Sequence, residues 1–83
     1  MTVVTVYTRA ACQQCRATER WLDSHDVEYT TAPADDPDNL LAIKALGYAA
    51  APVVIATPRG AGSDVHWYGF NPDMLNRIIE GTL

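Results

Sequence analysis

From Val3 to Tyr7 the chain is nearly all apolar. Val3, Val4, Val6 and Tyr7, with Thr5 among them, form a β-rich run, as expected of a strand covered on both faces. Val3–Tyr7 therefore predicts a strand, and Thr8–Ala11 a loop. The period then changes. Ala17 and Trp21 are four apart, with Thr18 and Leu22 beside them, while Arg16, Glu19, Arg20 and Asp23 largely fill the wet side. That spacing predicts a helix over Gln13–Ser24 and makes Trp21 a core residue rather than one that stacks on substrate. Val27–Thr31 alternates and is β-branched, predicting a short second strand.

Two prolines mark Ala32–Pro37 as a loop. Asp36 then suits an N-cap, Pro37 the first helical position and Asp38 the positive end of the dipole. Leu40, Ile43 and Leu46, with Leu41 and Ala45, give the apolar stripe. Gly47 is the natural residue just past its end. Pro52–Ala56 predicts a third strand, opened by a proline that such a position accepts. Thr57–Asp64 is rich in Gly and Pro and reads as an exposed hairpin loop. Val65–Phe70 makes the returning strand. Asn71-Pro72-Asp73 repeats the helix start of Asp36-Pro37-Asp38, and Met74, Leu75, Ile78 and Ile79 carry the last stripe to Gly81. The order is β-α-β-α-β-β-α. The first two strands, joined through a helix, should be parallel with a right-handed crossover.

Composition adds bounds. At 83 residues with 48% apolar content, the chain predicts one domain spanning 1–83 with a single core. A net charge of −4 argues against nucleic acid as a partner. No apolar run approaches the roughly 18 residues of a membrane span, and the N-terminus shows no signal-peptide pattern. The expectation is a cytoplasmic monomer.

The chemistry concentrates at Cys12 and Cys15, the only cysteines. Three apart in a helix, they share one face, with Cα atoms roughly 5–6 Å apart, within disulfide reach. One such pair after a strand, in a chain without other cysteines, fits a transient redox disulfide in a reducing cytosol. Cys12 falls at the expected N-cap, where free N–H groups and the helix dipole favour a thiolate. Arg9 and Arg16 flank it, and no Asp or Glu precedes Cys15. Cys12 is the candidate nucleophile. Cys15, one turn inside, is the candidate resolving thiol. The first strand supplies no buried acid to take the proton of Cys15. The alternatives are a pair of structural cysteines or half of a metal site. A four-thiolate site within one chain is excluded by count. His25 and His66 fit no zinc-finger spacing and read as surface residues.

Three segments carry a family resemblance. They are Val6-Tyr7-Thr8 leading into Cys12-Gln13-Gln14-Cys15, then Lys44-Ala45-Leu46-Gly47-Tyr48 with Ala51-Pro52-Val53-Val54, and His66-Trp67-Tyr68-Gly69-Phe70-Asn71-Pro72-Asp73. Together they resemble the NrdH-redoxins, glutaredoxin-like proteins of the thioredoxin superfamily. The resemblance implies an α/β thioredoxin fold, with a four-stranded mixed sheet ordered 2-1-3-4 and three helices. It implies a cis Pro52 facing the sulfurs. It implies a reversible Cys12–Cys15 disulfide with no bound cofactor or metal, recharged from NADPH through thioredoxin reductase. The electrons would go to a class Ib ribonucleotide reductase, for deoxyribonucleotide synthesis. Cys12 and Cys15 would do the chemistry, and Arg9, Gln13, Gln14, Ala51, Pro52, Trp67 and Phe70 would border the partner groove, with Trp67 and Phe70 as its aromatic rim.

The chain departs from the family pattern at three places. Tyr68 stands where Ser is usual, Asn71 where Arg is usual, and Gln13 where Val or Met is more usual. Glutaredoxins hold glutathione with a Gly-Gly and an acidic pair, where this chain reads Tyr68-Gly69-Phe70-Asn71-Pro72. The residues fit a dithiol electron carrier best. A glutathione-dependent glutaredoxin is the alternative, and a non-catalytic redox-switched binding module is the alternative of another class.

Overall fold

A computed structural model describes residues 2–58 and 64–82. The elements are β1 (Val3–Thr8), α1 (Gln13–Ser24), β2 (Thr30–Pro33), α2 (Pro37–Ala45), β3 (Val53–Thr57), β4 (Val65–Tyr68) and α3 (Pro72–Glu80). They form a four-stranded sheet in the order β2-β1-β3-β4. β1 and β2 are parallel, whereas β1–β3 and β3–β4 are antiparallel. This is the mixed 2-1-3-4 sheet with three helices of the thioredoxin fold. Of the hairpin loop expected at Thr57–Asp64, residues 59–63 lie outside the described residues.

The period of two sorts the sheet into faces. Val4, Val6, Val54, Ala56 and Trp67 meet Leu22 of α1 and Leu75 of α3 in the main core. On the other face, Val53 and Ala51 meet Ile43 of α2, Ala34 and Cys15. β3 is central, so its adjacent Val53 and Val54 are both buried. β1 is covered less evenly than its sequence suggests. Val4 and Val6 are buried, Thr5 and Tyr7 are half-buried, and Val3 is exposed.

Helix ends account for one shifted element. The second strand starts at Thr30, not Val27, and continues to Pro33. Asp26 takes a left-handed φ of 56°. The Val27 N–H donates to the Leu22 carbonyl at 3.0 Å, and the Asp26 N–H to that of Asp23 at 3.2 Å. These are the paired bonds of a Schellman cap. Val27, packed against the Leu22 cluster, closes that cap and takes no part in the ladder. Its β-branched side chain was a packing signal and not a pairing signal. α2 ends the same way. Gly47 sits at φ 94°, and the Tyr48 N–H reaches the Ile43 carbonyl at 3.1 Å. Tyr48 is thereby turned back into the Ile43 cluster. Leu41, included in the α2 stripe, is exposed, and Ile43 is the helix's one buried residue.

Candidate redox site

The strand, loop and helix at the start of the chain put the two sulfurs at the edge of the second cluster. Cys12 is the N-cap of α1, and its backbone is extended. The N–H of Cys15 donates to Cys12 Sγ at 3.1 Å, a contact that satisfies one of the free donors of the first turn. Cys12 and Cys15 are joined as a disulfide with Cα atoms 5.2 Å apart. Cys12 is half-buried, while Cys15 is fully buried. Cys12 Sγ is thus the sulfur nearer the surface, and Cys15 the shielded one. Arg16 pairs with Glu19 at 3.3 Å across exposed helix surface, so part of its charge is already offset. Arg9 is exposed.

The Ala51–Pro52 peptide bond is cis. Ala51 packs in the same cluster as Cys15, and Cys12 packs against that cluster. The turn after β4 fastens this strand to the motif. The Gly69 N–H donates to the Pro52 carbonyl at 2.8 Å. The next N–H, that of Phe70, donates to Gln14 Oε1 at 3.0 Å. Two successive amides thus tie the cis-proline strand and the CxxC helix to one turn. Gly69 is required there. Its φ is 84°, and a Cβ would lie 2.9 Å from Gln14 Oε1.

The residues expected at the partner groove divide accordingly. Gln13, next to Cys12 in the chain, and Phe70, which lines a shallow cleft with it, are both exposed, Phe70 by 38%. Gln14 also lies at the surface, with its carbonyl oxygen committed to Phe70. Ala51 and Pro52 are buried beneath the motif. Trp67 is placed elsewhere. It is 6% exposed and packs with Leu22 and Leu75 in the main core, so it is no part of an exposed aromatic rim. β4 alternation decides this, because Trp67 pairs with Val54 on the α1/α3 face. Its neighbour Tyr68 takes the outward place, 46% exposed, with its ring centroid 6.4 Å from that of Tyr48.

Sequence reading missed two connections. Tyr48 Oη lies 2.8 Å from His66 Nδ1, so His66 is a half-buried partner and not a free surface residue. Gln14 gave no sign of its contact with Phe70, because the two are 56 positions apart. Gly69, isolated just past a strand, was the one available hint of a close approach. Among the described residues no group of three His, Cys, Asp or Glu side chains is placed to hold a metal. None of the described helices is long and apolar enough to cross a membrane.

A dithiol at a helix N-cap, packed against a cis-proline strand on this sheet, defines a thioredoxin-fold redox protein. The glutaredoxin family model matches residues 4–58. The glutaredoxin-like protein NrdH of Salmonella typhimurium is 40% identical over 76 residues, 90% of this chain and 86% of the relative. The chain belongs to the glutaredoxin family and, within it, to the glutaredoxin-like NrdH proteins. Among solved structures, NrdH-redoxin from Escherichia coli, described for its thioredoxin-like activity profile, superposes with a TM-score of 0.79. It is 36% identical, over 92% of this chain and 93% of its own. A glutaredoxin from Archaeoglobus fulgidus, 24% identical, shares the fold with a TM-score of 0.72, over 98% of this chain and 89% of its own.

Proposed function

We propose that this chain is a cytoplasmic, monomeric dithiol electron carrier. Thioredoxin reductase recharges it with electrons from NADPH, and a class Ib ribonucleotide reductase consumes them. In the forward step the Cys12 thiolate attacks one sulfur of the partner's disulfide. A mixed disulfide forms and one partner thiolate leaves. The Cys15 thiolate then attacks Cys12 Sγ, the Cys12–Cys15 disulfide closes, and the second partner thiolate is released. The partner gains two electrons and its thiolates take up protons, while this chain loses two electrons.

One observation favours thioredoxin reductase over glutathione as the source of electrons. Several backbone donors at the turn into α3 are already engaged. Gly69 donates to Pro52, Phe70 to Gln14 and Leu75 to Asn71. Met74 donates to Asn71 Oδ1 at 3.2 Å, and Pro72 has no N–H. A glutathione carboxylate arriving there finds fewer partners, and an unpaired buried charge is costly. Tyr68 adds bulk beside that turn. The thioredoxin-like activity profile named for the Escherichia coli relative supports the same reading.

Trapping tests it. Cys15→Ser should accumulate a mixed disulfide between Cys12 and oxidised ribonucleotide reductase, visible by mass spectrometry. Cys12→Ser should abolish disulfide reduction. Trapping through Cys15 would reverse the assignment of the two thiols, and no trapping by either variant would defeat this partner.

A further inference from the structure

On the redox helix Arg16 and Arg20 are balanced in number by Glu19 and Asp23, but the two arginines lie together on the face that lines one cleft and the acids do not. Arg9, Arg16 and Arg20 are three of the six Lys and Arg residues, and Glu19 is the one acid between Arg9 and Arg20, in a chain of net charge −4. Gln13, Arg16, Ala17 and Arg20 are spaced i, i+3, i+4, i+7 and so form one continuous stripe along α1. Phe70 faces this stripe, and the same residues with Gln14 line a shallow cleft that begins at the motif itself. Gln14 supports the far wall by accepting the Phe70 N–H, which leaves the ring 38% exposed.

Both cations are available for a ligand. Arg16 and Arg20 are exposed. Arg20 has no ion-pair partner among the described residues, and Arg16 has only the exposed pair with Glu19. Such a pair is weak, and a guanidinium has five donors of which that contact engages few. An apolar ring beside two exposed guanidinium groups suits a segment that presents an apolar side chain next to carboxylates.

On that charge complementarity we infer that this cleft recognises an acidic–apolar peptide segment flanking the partner's disulfide. Phe70 covers the apolar side chain, and Arg16 and Arg20 meet the carboxylates. The inference rests on the dithiol-carrier reading and adds the chemistry that selects the partner. Acidic surfaces elsewhere on this chain are repelled by such a partner, so the charge asymmetry also orients the encounter toward Cys12.

Two disulfide-bridged peptides test it. They share one sequence with a Leu near the cysteine and differ only in two flanking residues, Asp in one and Lys in the other. The reduced protein is mixed with each, and kcat/KM is read at low and high salt. The Asp peptide should react about tenfold faster at low salt, as expected for two exposed charge pairs, and the preference should shrink as salt rises. Arg16→Glu with Arg20→Glu should erase or invert the ratio, Arg20→Gln should reduce it, and Arg16→Lys with Arg20→Lys should keep most of it. Equal rates for the two peptides in the unmodified protein overturn the recognition while leaving the carrier standing. A preference that survives in the Glu variant places charge recognition elsewhere and also overturns it. Failure to reduce either peptide defeats the carrier reading itself. A concentration-dependent dimer in sedimentation, lost in the Glu variant, would assign the cleft to a second copy of this chain and overturn the proposal.

Discussion

Gly69 shows how a single residue couples the site to the fold. A side chain there faces two obstacles, a left-handed backbone and the Gln14 carbonyl oxygen. Gly69→Ala should lose about 1–2 kcal/mol from the backbone alone, measured by urea unfolding. Adding Gln14→Ala should recover only the part due to the contact. Tyr29 is a second residue with a readable consequence. Burial, then the hydrogen bond it donates to Asp23 and the charges of Asp23 and Glu19, push its pKa from 10.0 up to about 12. The folded state thus favours the neutral phenol. Its contribution to stability is complete below pH 10 and is lost as pH rises from 10 toward about 12. A tyrosinate absorbance titration should show a late-ionising phenol that Tyr29→Phe removes. The cysteines were legible from their spacing because a helical turn fixes their separation. Gln14 was not, because its partner lies across the fold.

At the scale of elements, local chemistry decided more than apolar pattern did. Asp36 caps α2 with its carboxylate on the Asp38 and Asn39 amides at 3.0 and 3.4 Å. Asp36→Ala should cost about 1 kcal/mol, read as a lower urea midpoint. The run from Gln13 to Ser24 was legible in full because the cap, the period and the polar face agree. Both Asp-Pro-Asp and Asn-Pro-Asp announced a helix start, and α2 and α3 begin at those prolines. The second strand was misplaced because Val27 and Tyr29 are apolar for packing against α1, while pairing with β1 begins only at Thr30. A period of two cannot separate those causes. Trp67 was misassigned for a related reason. Which face of β4 is core depends on the register with β3, and that is a property of the sheet.

Over the whole molecule, the sheet brings three distant stretches to one end of the chain's core: the CxxC loop, the cis-proline strand and the turn into α3. The contacts among them engage the Gly69 and Phe70 amides and leave Phe70 and the α1 arginines at the surface. In the proposed function partner choice follows from how the turn is fastened, and that is the central claim to test. The direct measurement is NADPH consumption with a disulfide substrate, comparing thioredoxin reductase with glutathione plus glutathione reductase. Turnover should be at least about tenfold faster with thioredoxin reductase, because each hydrogen bond to a charged group denied to glutathione is worth about 1.5–3 kcal/mol. Equal turnover with glutathione would contradict the account and make the protein a glutathione-dependent glutaredoxin.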